Sequence, residues 1–230
     1  MKKLLFAFAV LLLTSPAVRA EDNTPPEGFT ALFNGEDLSG WQGQVGDGNP
    51  YTRAEMKPEE LKAAQAAADE NMKAHWKAED GMLIFDGKGK SLCSAKEYGD
   101  FELFCDWKID QGGDSGIYIR STPQVQIWDT KWEPYFKHGA EKGSGSLWNN
   151  AKHEKFPLEY ADNPVGEWNT FYIKMVGDHV IVKLNGKLVT DTKLENFWKR
   201  GMPLADQGLI ELQNHGNTLW FKNVYVKELK

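Results

Sequence analysis

In the stretch Phe101–Ile109 every odd position is apolar, Phe101, Leu103, Cys105, Trp107 and Ile109, while Glu102, Asp106 and Lys108 occupy even ones. A helix would scatter those apolar residues around its whole circumference, whereas a strand puts them all on one face. The stretch is therefore read as a half-buried strand, and it sets the period for much of the chain. Met82–Phe85 ends at Asp86-Gly87, and Phe101–Ile109 is followed by Gln111-Gly112-Gly113. Gly116–Arg120 and Gln124–Trp128 flank Ser121-Thr122-Pro123. Thr170–Val176 leads to Gly177-Asp178, and Val180–Leu184 and Lys187–Asp191 meet at Asn185-Gly186, a two-residue hairpin signal. Gly208–Gln213 and Leu219–Val226 close the series. Short strands at such regular spacing, with no longer repeat, predict an all-β jelly-roll sandwich of two antiparallel sheets.

One segment departs from this pattern. Residues 57–73 are rich in Ala, Glu, Lys and Gln, with Pro58 at the start and Leu61, Ala64, Ala68 and Met72 at helical spacing. The pattern predicts one inserted helix, read as a solvated decoration of the domain rather than a part of its chemistry.

The ends and the charge narrow the function. Met1-Lys2-Lys3, the apolar run Leu4–Leu13 and the small-residue ending at Ala20 read as a cleavable signal peptide, too short to span a membrane. Cleavage there implies a periplasmic or secreted protein, a linker at 21–27 read as a disordered lead-in, and a domain at 28–230. Without Lys2, Lys3 and Arg19 the 27 basic residues fall to 24, against 33 acidic ones. That balance disfavours nucleic acid as a partner, because phosphate binding needs an electropositive stripe. No membrane partner is expected after cleavage. Export permits a disulfide between Cys93 and Cys105, which would face each other if the turn Lys96–Asp100 made a hairpin; two buried free thiols are an equal alternative.

Parity also sorts the outward residues. With Ile117, Ile119, Val125, Ile127, Ile210 and Leu212 facing a core, the other face carries Tyr118, Arg120, Gln124, Gln126, Trp128, Glu211 and Gln213, with His215 just beyond. Amides and arginine suit the hydroxyl rim of a pyranose, and an aromatic ring suits its C–H face. Trp128 is the expected platform, and a neutral carbohydrate is the expected partner. No cofactor is expected, since His75, His138, His153, His179 and His215 lack ligand spacing on any one element. A structural calcium on loop oxygens near Asp114 or Asp129 stays open.

Several segments carry a specific resemblance. They are Leu32-Phe33-Asn34-Gly35 through Leu38-Ser39-Gly40-Trp41, Tyr98-Gly99-Asp100-Phe101-Glu102-Leu103, Asp114-Ser115-Gly116-Ile117-Tyr118-Ile119-Arg120 and Gln124-Val125-Gln126-Ile127-Trp128-Asp129. Gly143-Ser144-Gly145-Ser146-Leu147, Gly166-Glu167-Trp168-Asn169, Leu184-Asn185-Gly186, Leu212-Gln213-Asn214-His215-Gly216 and Phe221-Lys222-Asn223 follow in order. Together they resemble the bacterial 3-keto-disaccharide hydrolase domain family over residues 28–229. Asp114 and Gln124 depart from the Asn and Glu that many members carry.

The resemblance implies a concanavalin A-like jelly roll and cleavage of glycosides already oxidised at carbon 3. A 3-keto group acidifies the proton on carbon 2, so the glycosidic oxygen can leave by elimination and water can add afterwards. That route needs a base, an acid and a donor to the enolate oxygen. The candidates are Glu211 and His215 as base and acid, and Arg120 with Gln126 or Gln213 at the keto oxygen. Tyr118, Gln124, Trp128, Asp129 and Asp114 complete the expected substrate site. A two-carboxylate glycosidase is the rival chemistry, a carbohydrate-binding lectin-like module is the alternative from a different class, and an adhesive or scaffolding domain is a third.

Overall fold

The computed structural model describes residues 21–230, which form two antiparallel sheets, two α-helices, two short 3-10 helices and the loops between them. The strands are β1 (Thr30–Ala31), β2 (Trp41–Gly43), β3 (Trp76–Glu79), β4 (Met82–Asp86), β5 (Leu92–Ser94), β6 (Phe101–Ile109) and β7 (Asp114–Ile119). They continue with β8 (Thr122–Trp128), β9 (Asn169–Val176), β10 (His179–Leu184), β11 (Lys187–Lys193), β12 (Glu211–Leu212) and β13 (Thr218–Glu228). The large sheet runs β11-β10-β9-β6-β13-β4-β3 with β1 added to β13, and the small sheet runs β2-β5-β12-β7-β8. This is the jelly-roll sandwich that the alternation predicts. The signal-peptide reading concerns residues 1–20 and lies outside the described residues.

Alternation decides what the sheets bury. Phe101, Leu103, Cys105, Trp107 and Ile109 of β6 are all buried, as are Phe171, Ile173 and Met175 of β9. They share one apolar cluster with Ile117, Ile119, Val125, Ile127 and Leu212 of the small sheet. Trp107 and Phe171 pack with their rings tilted by 44° and their centroids 5.5 Å apart, so the cluster is packed by specific ring contacts as well as area.

The helical insertion is longer than the sequence pattern indicates. A short α1 (Pro50–Glu55) precedes α2 (Pro58–His75), and Ala68 and Met72 of the expected stripe are buried. The helix lies hard against β2: a Cβ on Gly43 would sit 2.0 Å from the Ala68 carbonyl oxygen. Glycine is what lets helix and strand approach this closely.

One expectation fails here, and of the two open cysteine readings the buried free thiols are the one found. Residues 21–27 are not a free lead-in. The Asn23 amide donates to Asn223 Oδ1 at 2.6 Å, the Asn223 amide returns a bond to Asn23 Oδ1 at 3.0 Å, and Asp22 pairs with Lys222 at 2.6 Å. Asn223 sits at φ +51° inside the register shift of β13, where the bulge frees its amide for this exchange. Nor do the cysteines form a hairpin pair. Both are free and buried, with Cys93 on β5 of the small sheet and Cys105 on β6 of the large one.

Candidate functional site

The small sheet exposes its outer face to a polar row set by strand register. Glu211 of β12 stands opposite Cys93 of β5 on one side and Tyr118 of β7 on the other. One step along, Gly116 stands opposite Gln126, and a further step brings Asp114 opposite Trp128. Gln213 joins through its amide, which donates to the Gly116 carbonyl at 2.9 Å.

Glu211 is the centre of this row and is 2 % exposed. Gln44 Nε2 donates to its Oε1 at 2.8 Å, Cys93 Sγ lies 3.7 Å from its Oε2, and the Ser91 side chain also bonds it. Burial raises its pKa to about 7; those hydrogen bonds only partly counter the loss of water, and nearby Asp47 raises it further. Tyr118 is shifted the same way by burial and by Glu211, so its phenol stays protonated well beyond neutral pH. Burial likewise raises the Cys93 thiol, which leaves it a neutral neighbour rather than a nucleophile.

Glu211 and Cys93 line a cavity of about 220 Å³. Its walls come from the insertion and the loop before it: Gln44, Gly48, Arg53, Leu61 and Gln65. The insertion thus packs against the domain and forms part of the wall of the cavity that Glu211 lines. Residues 44–55 gave no sequence signal for this role, because a wall residue needs no periodicity.

A second polar chain occupies the other end of the same face. Gln124 donates to Gln126 Oε1, and Gln126 Nε2 donates to Asp114 Oδ1 at 2.7 Å. His215 Nδ1 lies 3.5 Å from Asp114 Oδ2. Burial raises the Asp114 pKa, with His215 opposing it. Gln213 Nε2 reaches the Tyr118 hydroxyl at 3.4 Å and links the two ends. Glu211, Tyr118, Gln124, Gln126, Gln213, Asp114 and His215 thus share one face, although His215 sits beside Asp114 and not beside Glu211.

Three expected members lie elsewhere. Arg120 has φ +49° at the end of β7, so its side chain leaves the strand alternation. Its guanidinium bonds the Gly99 carbonyl at 2.8 Å and pairs with Asp100. Asp129 is occupied as a loop anchor: Oδ2 accepts from the Gly112 amide and Oδ1 from the Lys131 amide, both at 2.9 Å. Trp128 is only 3 % exposed, because Gly143 and Ser144 lie against it, and its Nε1 donates to the Gly143 carbonyl at 3.1 Å. It is no platform for a ligand.

That same segment supplies a residue the sequence reading passes over. Leu147 bridges Val125, and both are buried in the core. Ser146 is buried beside β8, its carbonyl accepting from the Gln126 amide at 2.9 Å, and Trp148 lies in the turn that follows. Trp148 is half-buried, held by its Nε1 bond to the His138 carbonyl at 3.1 Å. Three buried acceptors on or beside this face, Gln124 Oε1, Gln213 Oε1 and Ser146 Oγ, have no protein partner among the described residues. Among the described residues no group of three or more His, Cys, Asp or Glu could hold a metal ion, and no helix is long and apolar enough to cross a membrane.

Comparison with known proteins then identifies the scaffold. The 3-keto-alpha-glucoside-1,2-lyase-like domain family matches residues 28–227. The chain belongs to this family. A 3-keto-disaccharide hydrolase of Bacteroides thetaiotaomicron is 24 % identical over 255 residues, covering 88 % of this chain and 79 % of the relative. A crystal structure of a candidate glycosyl hydrolase from Parabacteroides distasonis shares the fold, with a TM-score of 0.68 at 24 % identity. It covers 91 % of this chain and all of its own. Another candidate glycosyl hydrolase from the same organism has a TM-score of 0.57 at 26 % identity, over 82 % of this chain and 99 % of its own. Membership makes the chain one of a family of carbohydrate-acting hydrolases.

Proposed function

We propose that the chain is exported and cleaves the glycosidic bond of 3-keto-disaccharides by elimination and rehydration, with Glu211 as the base. The observation that carries the reading is a carboxylate at a cavity wall, buried by its own sheet and shifted to about pH 7, in a chain of this family. A base with that pKa is ionised in a useful fraction at neutral pH yet still strong enough to accept a carbon-bound proton.

In the proposed sequence Glu211 takes the proton from carbon 2, and the bonding pair forms the C2–C3 double bond while the carbonyl pair moves to oxygen. The enolate then reforms the carbonyl and expels the oxygen on carbon 1, leaving a C1–C2 double bond. Tyr118, protonated and directly across from Glu211, gives the departing oxygen a proton. Water adds at carbon 1 and the proton returns to carbon 2, so the net change is hydrolysis. The amides of Gln124, Gln126 and Gln213 on this face are chemically suited to sugar hydroxyls. Trp148 is the proposed stacking ring, and Asp114 with His215 is proposed to hold the far sugar. The leader pattern of residues 1–20 supports the export.

The test is to incubate the purified protein with a 3-keto-disaccharide and with its unoxidised parent and to measure released reducing sugar. Release from the oxidised sugar alone is the expected result. Binding of either sugar with no release from both would make the chain a lectin and overturn the proposal.

A further inference from the structure

Three arginines lie within the described residues, and two of them are neutralised: Arg120 by Asp100 and Arg200 by Glu195. Arg53 is different. It lies on α1 and is half-buried, and it lines the same cavity as Glu211 and Cys93. Among the described residues its guanidinium has neither an ion pair nor a hydrogen bond. Glu97 also lines the cavity but forms no ion pair with it. The cation is close enough to Cys93 to favour the thiolate there electrostatically, so its field reaches the wall on which Glu211 stands. A partly desolvated cation with open donors, facing a cavity with a buried base, is matched to negative charge that appears only during a reaction.

We propose that Arg53 holds the oxygen on carbon 3 of the sugar as the enolate forms, an inference that rests on the elimination reading above. When Glu211 removes the proton from carbon 2, the pair from that C–H bond becomes the C2–C3 double bond. The former carbonyl pair settles on oxygen, and the planar guanidinium meets it with two N–H donors. No oxidant or other reactant is required, because the charge returns to the leaving oxygen when the C1–O bond breaks. The assignment gives the insertion a chemical role: α1 brings to the base the cation that the sheet itself does not supply.

The test compares wild type with Arg53→Gln and Arg53→Lys, using a 3-keto-disaccharide, and reads kcat, KM and solvent-deuterium exchange at carbon 2. Charge present only in the transition state predicts that Arg53→Gln lowers kcat about 10²- to 10³-fold, slows exchange in parallel and leaves KM nearly unchanged. Arg53→Lys should recover part of that loss, and added guanidinium chloride at millimolar concentration should partly rescue Arg53→Ala. Melting temperatures should stay close to wild type, since the side chain makes no protein bonds to lose. A raised KM with unchanged kcat, or rates within threefold of wild type, would overturn the assignment while leaving Glu211 as base. If wild-type protein neither exchanges nor cleaves any 3-keto-disaccharide, the elimination reading itself fails, and the two failures are told apart by that control.

Discussion

At the scale of single residues, the proposed role of Glu211 as base would tie stability and activity to the same proton. In the unfolded chain its carboxyl titrates near the reference 4.5, and in the fold near 7. Between those values the folded state binds the extra proton, so stability falls as pH rises through that window and is level above it. The full difference is about 3 kcal/mol. Glu211→Gln, which cannot ionise, should therefore melt several degrees above wild type at pH 8 and close to it at pH 4, in a calorimetric pair of scans. The same variant should lose about 10²- to 10⁴-fold in turnover. For wild type, kcat/KM should rise with pH and reach half its plateau near 7, because only the ionised carboxylate accepts a proton. Arg120 makes the opposite case. Its buried guanidinium holds Gly99 and Asp100 together, so Arg120→Ala should cost about 2 kcal/mol by denaturant unfolding and leave kcat of the folded fraction unchanged. Parity placed Glu211, Tyr118, Gln126 and Gln213 on one face correctly because the pairings of β12 and β8 with β7 keep these positions in step. It failed for Arg120, whose left-handed backbone ends the alternation, a property no side-chain pattern displays.

At the scale of elements, the sequence discloses strands better than it discloses what lies over them. β6, β9 and β10 were legible because each carries an alternation, β13 from its aromatic and β-branched run after a turn, and α2 from its helical stripe. The coverings were not. Trp128 is buried by the segment Gly143–Leu147, which joins the edge of β8 through the bond from the Gln126 amide to the Ser146 carbonyl at 2.9 Å. Such pairing depends on a long-range return of the chain, and the segment's own glycines and serines read as loop. The insertion is the second covering, and its seat is narrow. Gly43→Ala would drive a methyl group into the Ala68 carbonyl and push α2 away from β2. Overpacking of this kind costs about 1–3 kcal/mol. Because Leu61 and Gln65 of α2 line the cavity, the same displacement should lower kcat/KM as well as the melting temperature. A loss of stability with unchanged kinetics would show that the helix is a lid of no consequence to the site.

For the whole molecule, residues 22 and 23 are stitched to β13 at the middle of the large sheet. β13 pairs with β6 along one edge, and with β4 and β1 in succession along the other. The bulge at the changeover turns Asn223 toward Asn23, and Asn23 Nδ2 also reaches the Gly81 carbonyl at 2.9 Å. Residues immediately after Ala20 therefore complete the hydrogen bonding of a central strand rather than trail from it. Deleting 21–23 would leave the Asn223 amide and its side chain without those partners and would expose the bulge to water. Each neutral bond contributes about 1 kcal/mol net, and the Asp22–Lys222 pair little more, so a loss of about 2 kcal/mol is expected. A chain beginning at Thr24 should accordingly unfold at lower denaturant than one beginning at Glu21, with the same slope. The proposed active face belongs to the other sheet, so both forms should cleave at equal rates below the transition. An unequal rate would mean that the stitch acts across the sandwich on the small sheet, and an unchanged midpoint would mean that the paired asparagines are held by β13 alone.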